Sequence, residues 1–157
     1  MAKNMIGIEE SSAQSLALSL NDLLANYQIF YMNVRGYHWN IKGEKFFELH
    51  AKFEELYDDL LQKIDEIAER ILTLGERPVH SYSAYIQNSS IEERKDVSDG
   101  IDAVRFILES YGVVLRKQRE VLNAAGEADD EGTNALMSDY ISQQEKQVWM
   151  YRSFLGE

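Results

Sequence analysis

Apolar residues recur at spacings of three and four along most of the chain, the mark of amphipathic helices. Four long segments carry the pattern. The first runs from about Ser12 to Tyr37, with Leu16, Leu20, Leu23, Tyr27, Phe30, Tyr31 and Val34 on one face. The second runs from about Lys45 to Leu74, with Leu49, Phe53, Leu56, Leu60, Ile64, Ile67 and Ile71. The third begins near Ser90 or Asp96 and continues to about Ala124, with Ile101, Val104, Leu108, Tyr111, Leu115 and Leu122. The fourth covers about Thr133 to Leu155, with Leu136, Tyr140, Ile141, Val148 and Trp149.

Punctuation supports these segments. Gly75 and Pro78 stop the second helix. Ser90 with Glu93 reads as a capping box for the third. Gly126 and Gly132 flank an acidic turn before the fourth. The link from Glu76 to about Ser89 is long, and Tyr82, Tyr85 and Ile86 within it predict a short extra helix lying across the bundle. The other two connections are short, so helices one and two, and three and four, are expected as antiparallel neighbours. The predicted fold is all-α: a four-helix bundle whose one long crossover joins helices two and three, in one domain over 1–157 with a tail of about residues 1–11.

Composition narrows the chemistry. The 157 residues contain no cysteine, which excludes disulfides, thiolate metal sites and a cysteine nucleophile. The formal net charge is −11, with no basic patch to neutralise nucleic-acid phosphates. Residues 1–10 lack a signal pattern and no apolar run approaches membrane-spanning length, so a cytoplasmic protein is expected.

Of only three histidines, two sit beside carboxylates at helical spacing. His50 and Glu54 are four residues apart, as are Asp65 and Glu69 on the same predicted helix. His38 ends the first helix. Imidazole and carboxylate form a mixed donor set suited to iron, zinc or manganese rather than calcium. His50 and Asp65 lie roughly 22 Å apart along one helix at about 1.5 Å rise per residue. One metal site cannot use both ends of a single chain. Either the pairs are unrelated, or an antiparallel two-fold dimer brings His50 and Glu54 of one chain against Asp65 and Glu69 of the other, in two equivalent copies.

The segment Gly36-Tyr37-His38-Trp39-Asn40 with Phe46-Phe47-Glu48-Leu49-His50, and the later Asp65-Glu66-Ile67-Ala68-Glu69-Arg70 with Leu74-Gly75, resembles the Dps family of mini-ferritins. Trp149-Met150 adds to the likeness, which covers about residues 12 to 155. The resemblance implies the ferritin-like four-helix bundle and a dodecameric shell with an acidic hollow interior. It implies a ferroxidase centre, dinuclear or mononuclear, with His38, His50 and Glu54 from one chain and Asp65 and Glu69 from its two-fold mate. Many members have Asp where this chain has Glu54. The implied activity is oxidation of Fe(II) by hydrogen peroxide or oxygen and storage of ferric mineral, protecting against oxidative damage. The competing reading is a shell protein that compacts DNA with minor iron chemistry. DNA-compacting relatives carry a lysine-rich tail, whereas residues 1–14 here hold only Lys3 against Glu9 and Glu10, so DNA binding is expected to be weak or absent. Trp39 is read as packing or as a ring that intercepts radicals. Glu55, Asp58 and Asp59 are candidate mineral nucleators, and Asp129, Asp130 and Glu131 candidate pore residues that draw in Fe(II).

Overall fold

The computed structural model describes residues 2–157. Among them are five helices and no strand: α1 Glu10–Asn40, α2 Phe46–Thr73, α3 Tyr82–Asn88, α4 Gly100–Glu127 and α5 Glu131–Phe154. The fold is the ferritin-like bundle, with α3 as the short helix of the long crossover. α1 packs against α2, α3 and α4, and α4 packs against α5. This central place explains why Leu23, Leu24, Ala25, Asn26 and Tyr27 are all buried in succession. A helix covered on several sides needs no polar face.

The face predicted for α2 is the buried one: Leu49, Phe53, Leu56, Leu60, Ile64, Ile67 and Ile71 all enter the core. Its end is a Schellman turn. Gly75 has φ +92°, its N–H donates to the Leu72 carbonyl at 2.9 Å, and the Glu76 N–H donates to Ile71 at 3.1 Å. The same turn ends α4, with Asp129 at φ +56° and the Asp130 N–H on the Ala125 carbonyl at 2.8 Å.

Two expectations about the third long helix need correction. It starts at Gly100, where the Asp99 side chain accepts from the Asp102 N–H, so Ser90 and Glu93 form no capping box. Residues 89–94 are instead held along α1 by two buried asparagines. Asn26 Oδ1 accepts from the N–H groups of Ser90 and Ile91 at 2.9 and 3.1 Å. Asn33 Oδ1 accepts from the Arg94 N–H at 3.0 Å, and its Nδ2 donates to the Glu92 carbonyl at 2.9 Å. With its amides satisfied by side chains, this stretch gains little from winding into helix. The core face of α4 is also rotated from the expected one. Val104, Ile107, Tyr111, Val114, Gln118 and Val121 are buried, while Leu108, Leu115 and Leu122 lie half-buried at its edge and Ile101 is exposed.

Polar groups close the bundle. Tyr27, Gln118 and Gln144, from α1, α4 and α5, form a ring of hydrogen bonds in the core. Gln118 Nε2 donates to Gln144 Oε1 at 2.8 Å, Gln144 Nε2 to the Tyr27 oxygen at 2.7 Å, and the Tyr27 hydroxyl to Gln118 Oε1. At one end Arg70 of α2 donates to Thr133 Oγ1 and Asp130 Oδ1 at the start of α5, at 2.8 and 2.7 Å. Gly132 is needed there, because a Cβ would lie 2.7 Å from the Arg70 guanidinium. Asp130 is 1 % exposed and also caps α5 through the Thr133 N–H. It is therefore an internal anchor, not the free pore carboxylate expected. Asp129 and Glu131 are exposed.

Candidate metal centre

His38 sits in the last turn of α1 and His50 in the second turn of α2, so the tight turn between the helices brings them together. Their rings stack, with centroids 3.8 Å apart and planes 13° from parallel. Each His Nδ1 faces the other residue's backbone carbonyl, at 2.6 Å for His38 and 2.7 Å for His50. A carbonyl can only accept, so both Nδ1 atoms carry a proton, and in the neutral ring it is Nε2 that holds the lone pair. That is the tautomer a metal-binding imidazole needs, fixed by its outer hydrogen bond. Glu54 Oε1 is 3.8 Å from His38 Nε2, on the same side. Phe46 stacks on His50 at 4.9 Å and Tyr57 meets His38 edge-on at 5.2 Å, which hold the two rings in place. The sequence reading missed both supports, although Phe46 lies one helical turn before His50.

The second pair lies near the other end of α2. Asp65 and Glu69 are exposed, one helical turn apart on α2. The Asp65 carboxyl, through hydrogen bonding first and charge repulsion second, raises the Glu69 carboxyl above its usual range.

Among the described residues, no three His, Asp or Glu side chains of one chain converge closely enough to hold a metal ion. The structure stacks His38 on His50 and sets Glu54 beside His38, and it places Asp65 beside Glu69, but it does not bring the two groups together. At about 100° per residue, His50, Glu54, Asp65 and Glu69 fall within roughly a 100° arc of α2. One face of one helix therefore presents both half-sets, as the two-fold arrangement requires.

The remaining candidates are scattered. Trp39 is 56 % exposed and covered on one side by the Arg35 guanidinium at 4.7 Å, so it is not a core packing residue. Glu55 pairs with Lys52 at 3.1 Å and Asp59 with Lys63 at 2.7 Å, while Asp58 is exposed. His80 is an exposed loop residue.

Comparison with known proteins places the fold in a family. The ferritin-like domain model matches residues 17–157. Bundle topology and this match define a ferritin-like protein. A Dps protein of Vibrio cholerae, described as a member of a broad superfamily of ferritin-like diiron-carboxylate proteins, superposes with a TM-score of 0.97 at 57 % identity, covering 99 % of this chain and 98 % of that one. Dps from Bacillus brevis superposes with a TM-score of 0.89 at 34 % identity, covering 92 % and 97 %. A DNA protection during starvation protein of Porphyromonas gingivalis is 39 % identical over 148 residues, 94 % of this chain and 93 % of its own. The chain belongs to the Dps family.

Proposed function

We propose that this protein is a ferroxidase that oxidises Fe(II) and stores the ferric product in a shell of identical chains, a dodecamer built from two-fold dimers. The observation that carries the reading is the reciprocal His38–His50 pairing, which leaves two Nε2 lone pairs free beside Glu54. Each site combines these with Asp65 and Glu69 of the two-fold mate. The donor set fits iron as substrate: borderline imidazoles accept Fe(II), and hard carboxylates favour the ferric product. Glu54 is one methylene longer than Asp and supplies the same carboxylate donor, 3.8 Å from His38 Nε2.

With hydrogen peroxide, two Fe(II) each lose one electron, the O–O bond takes both, and two protons complete two water molecules. With oxygen the electron acceptor differs but the residues' task is unchanged. They bind the ion, hold both imidazoles with Nδ1–H turned to a backbone carbonyl and Nε2 toward the ion, and let carboxylate charge offset the growing charge on iron. Glu55, Asp58 and Asp59 are proposed to seed the mineral. The net charge of −11 per chain and a lone Lys3 near the N-terminus favour iron chemistry over DNA compaction. No helix among the described residues is long and apolar enough to cross a membrane. We place the protein in the cytoplasm.

The test is anaerobic loading with Fe(II), then addition of peroxide or oxygen, following ferric absorbance and soluble iron retained. The wild type is expected to oxidise faster than free Fe(II) and keep the iron in solution. A His50→Ala, Asp65→Ala double variant is expected to fall to the free-ion rate. Equal rates for the two proteins would overturn the proposal.

A further inference from the structure

The guanidinium of Arg35 is held in place without a counter-charge. It lies against the rings of Trp39, Tyr57 and Tyr31, at 4.7, 5.4 and 5.6 Å from their centroids. Cation–π attraction to three rings restrains a side chain that is otherwise flexible. Among the described residues, Arg35 makes one side-chain hydrogen bond, from Nη1 to the Tyr31 hydroxyl at 3.3 Å, and pairs with no carboxylate. A guanidinium carries five N–H donors in a planar fork, so most of these are unspent. Arg35 is also half-buried, where a cation without an anion is costly. Asp65 is its mirror case. It pairs with no cation among the described residues, and its neighbour on α2 is the like-charged Glu69.

The contacts His38–His50 and Tyr31–Tyr57 set the register of α1 against α2: seven residues back along α1 match seven forward along α2. Arg35 falls between the two contacts. It lies about 60° from His38 around α1, at about 100° per residue, on the side of the exposed Trp39. Side chains lean toward the N-terminus of their own helix, so its guanidinium lies beside the stretch of α2 from Glu54 to Tyr57. On the shared-site reading, the antiparallel α2 of the partner subunit sets Asp65 and Glu69 against His50 and Glu54. Moving from there toward Tyr57 moves back along the partner's helix, away from Glu69 and toward Asp65. The next carboxylate on that face, Asp58 of the partner subunit, is roughly 10 Å further along, at about 1.5 Å per residue. Asp65 of the partner subunit is therefore the anion brought to Arg35.

We propose that Arg35 forms an ion pair with Asp65 of the partner subunit and so limits each shared site to one tightly bound metal ion. The inference rests on the shared-site reading. The guanidinium holds one Asp65 oxygen and leaves the other for the metal, so Arg35 is a positioning residue that acts through Asp65. Charge sets the stoichiometry. Each site gathers three carboxylates: Glu54, with Asp65 and Glu69 of the partner subunit. One divalent ion and one guanidinium neutralise them. A second divalent ion would leave two net positive charges at an interface and would have to enter beside a fixed cation. Arg35 stands in for that second ion.

The test uses iron-free, assembled protein titrated with Co(II), followed by calorimetry and by the visible absorbance of the bound ion. The wild type is expected to bind one Co(II) per chain tightly. Arg35→Leu, which leaves an apolar filler between the rings, should bind two, and so should Arg35→Gln. Arg35→Lys, which keeps the charge, should stay at one. A gained ion is not what a damaged fold produces. Two tight ions per chain in the wild type or in Arg35→Lys, or one in both neutral variants, would overturn the proposal and leave the shared site standing. Co(II) bound no more tightly by the wild type than by His50→Ala would overturn the shared site, and the proposal with it. The pairing is read separately from urea midpoints of the iron-free protein. Arg35→Leu combined with Asp65→Asn should lose clearly less than the two single losses together. Additive losses would overturn Asp65 as the partner of Arg35.

Discussion

At the scale of single residues, the chemistry is set by groups that hold other groups in place. The two imidazoles fix each other's tautomer through backbone carbonyls, so neither needs a carboxylate behind it. The Arg70–Asp130 pair acts similarly on the frame. Asp130 is fully buried, and Arg70 adjoins Glu69 on α2, so their bond ties the end of α2 that carries Asp65 and Glu69 to the start of α5. Removing one partner leaves the other's charge buried and unpaired. Arg70→Ala is expected to lower stability by about 3–5 kcal/mol, read as an earlier midpoint in chemical denaturation. A loss below about 1 kcal/mol would mean that water reaches Asp130. The His–x–x–x–Glu and Asp–x–x–x–Glu spacings were visible in the sequence because helical periodicity converts spacing into direction. The buried role of Asp130 was not, because an acidic run reads as solvated until its partner, sixty residues away, is known.

At the scale of elements, α1 organises the molecule. It is covered by α2, α3 and α4, and its two buried asparagines pin the loop that leads into α4. Asn26→Ala is predicted to free the Ser90 and Ile91 amides at a cost of about 1–3 kcal/mol. Hydrogen exchange should show the loop amides opening while those of α2 stay protected; unchanged exchange at Ile91 would contradict the role given to Asn26. The four long helices and the crossover helix were legible because apolar periodicity, Gly75 and Pro78 agree. The start of α4 was not. Ser90 and Glu93 have the right spacing for a cap, but the side chains that claim those amides come from α1, and local sequence does not reveal a tertiary competitor. The face of α4 was misjudged for a related reason. Leu108, Leu115 and Leu122 are more hydrophobic than Ser110 and Gln118, yet Gln118 is the residue in the core, because Tyr27 and Gln144 supply its hydrogen bonds.

For the whole molecule, one chain holds two incomplete sets of donors on one face of α2. Their separation of roughly 22 Å, at about 1.5 Å per residue, makes a second chain part of the chemistry. That inference was available from residue numbers alone, and the ring geometry gives it a tautomer and an orientation. The measurement that tests it most directly is complementation. His50→Ala and Asp65→Ala chains are purified separately, dissociated, mixed in equal amounts and reassembled, and Fe(II) oxidation is followed in each sample. Each variant alone should be inactive. With random pairing in a two-fold dimer, half the dimers are mixed and each mixed dimer regains one intact site of two. The mixture should therefore recover about a quarter of wild-type activity. A mixture as inactive as its parents, although mixed dimers are shown to form, would contradict a site shared between chains.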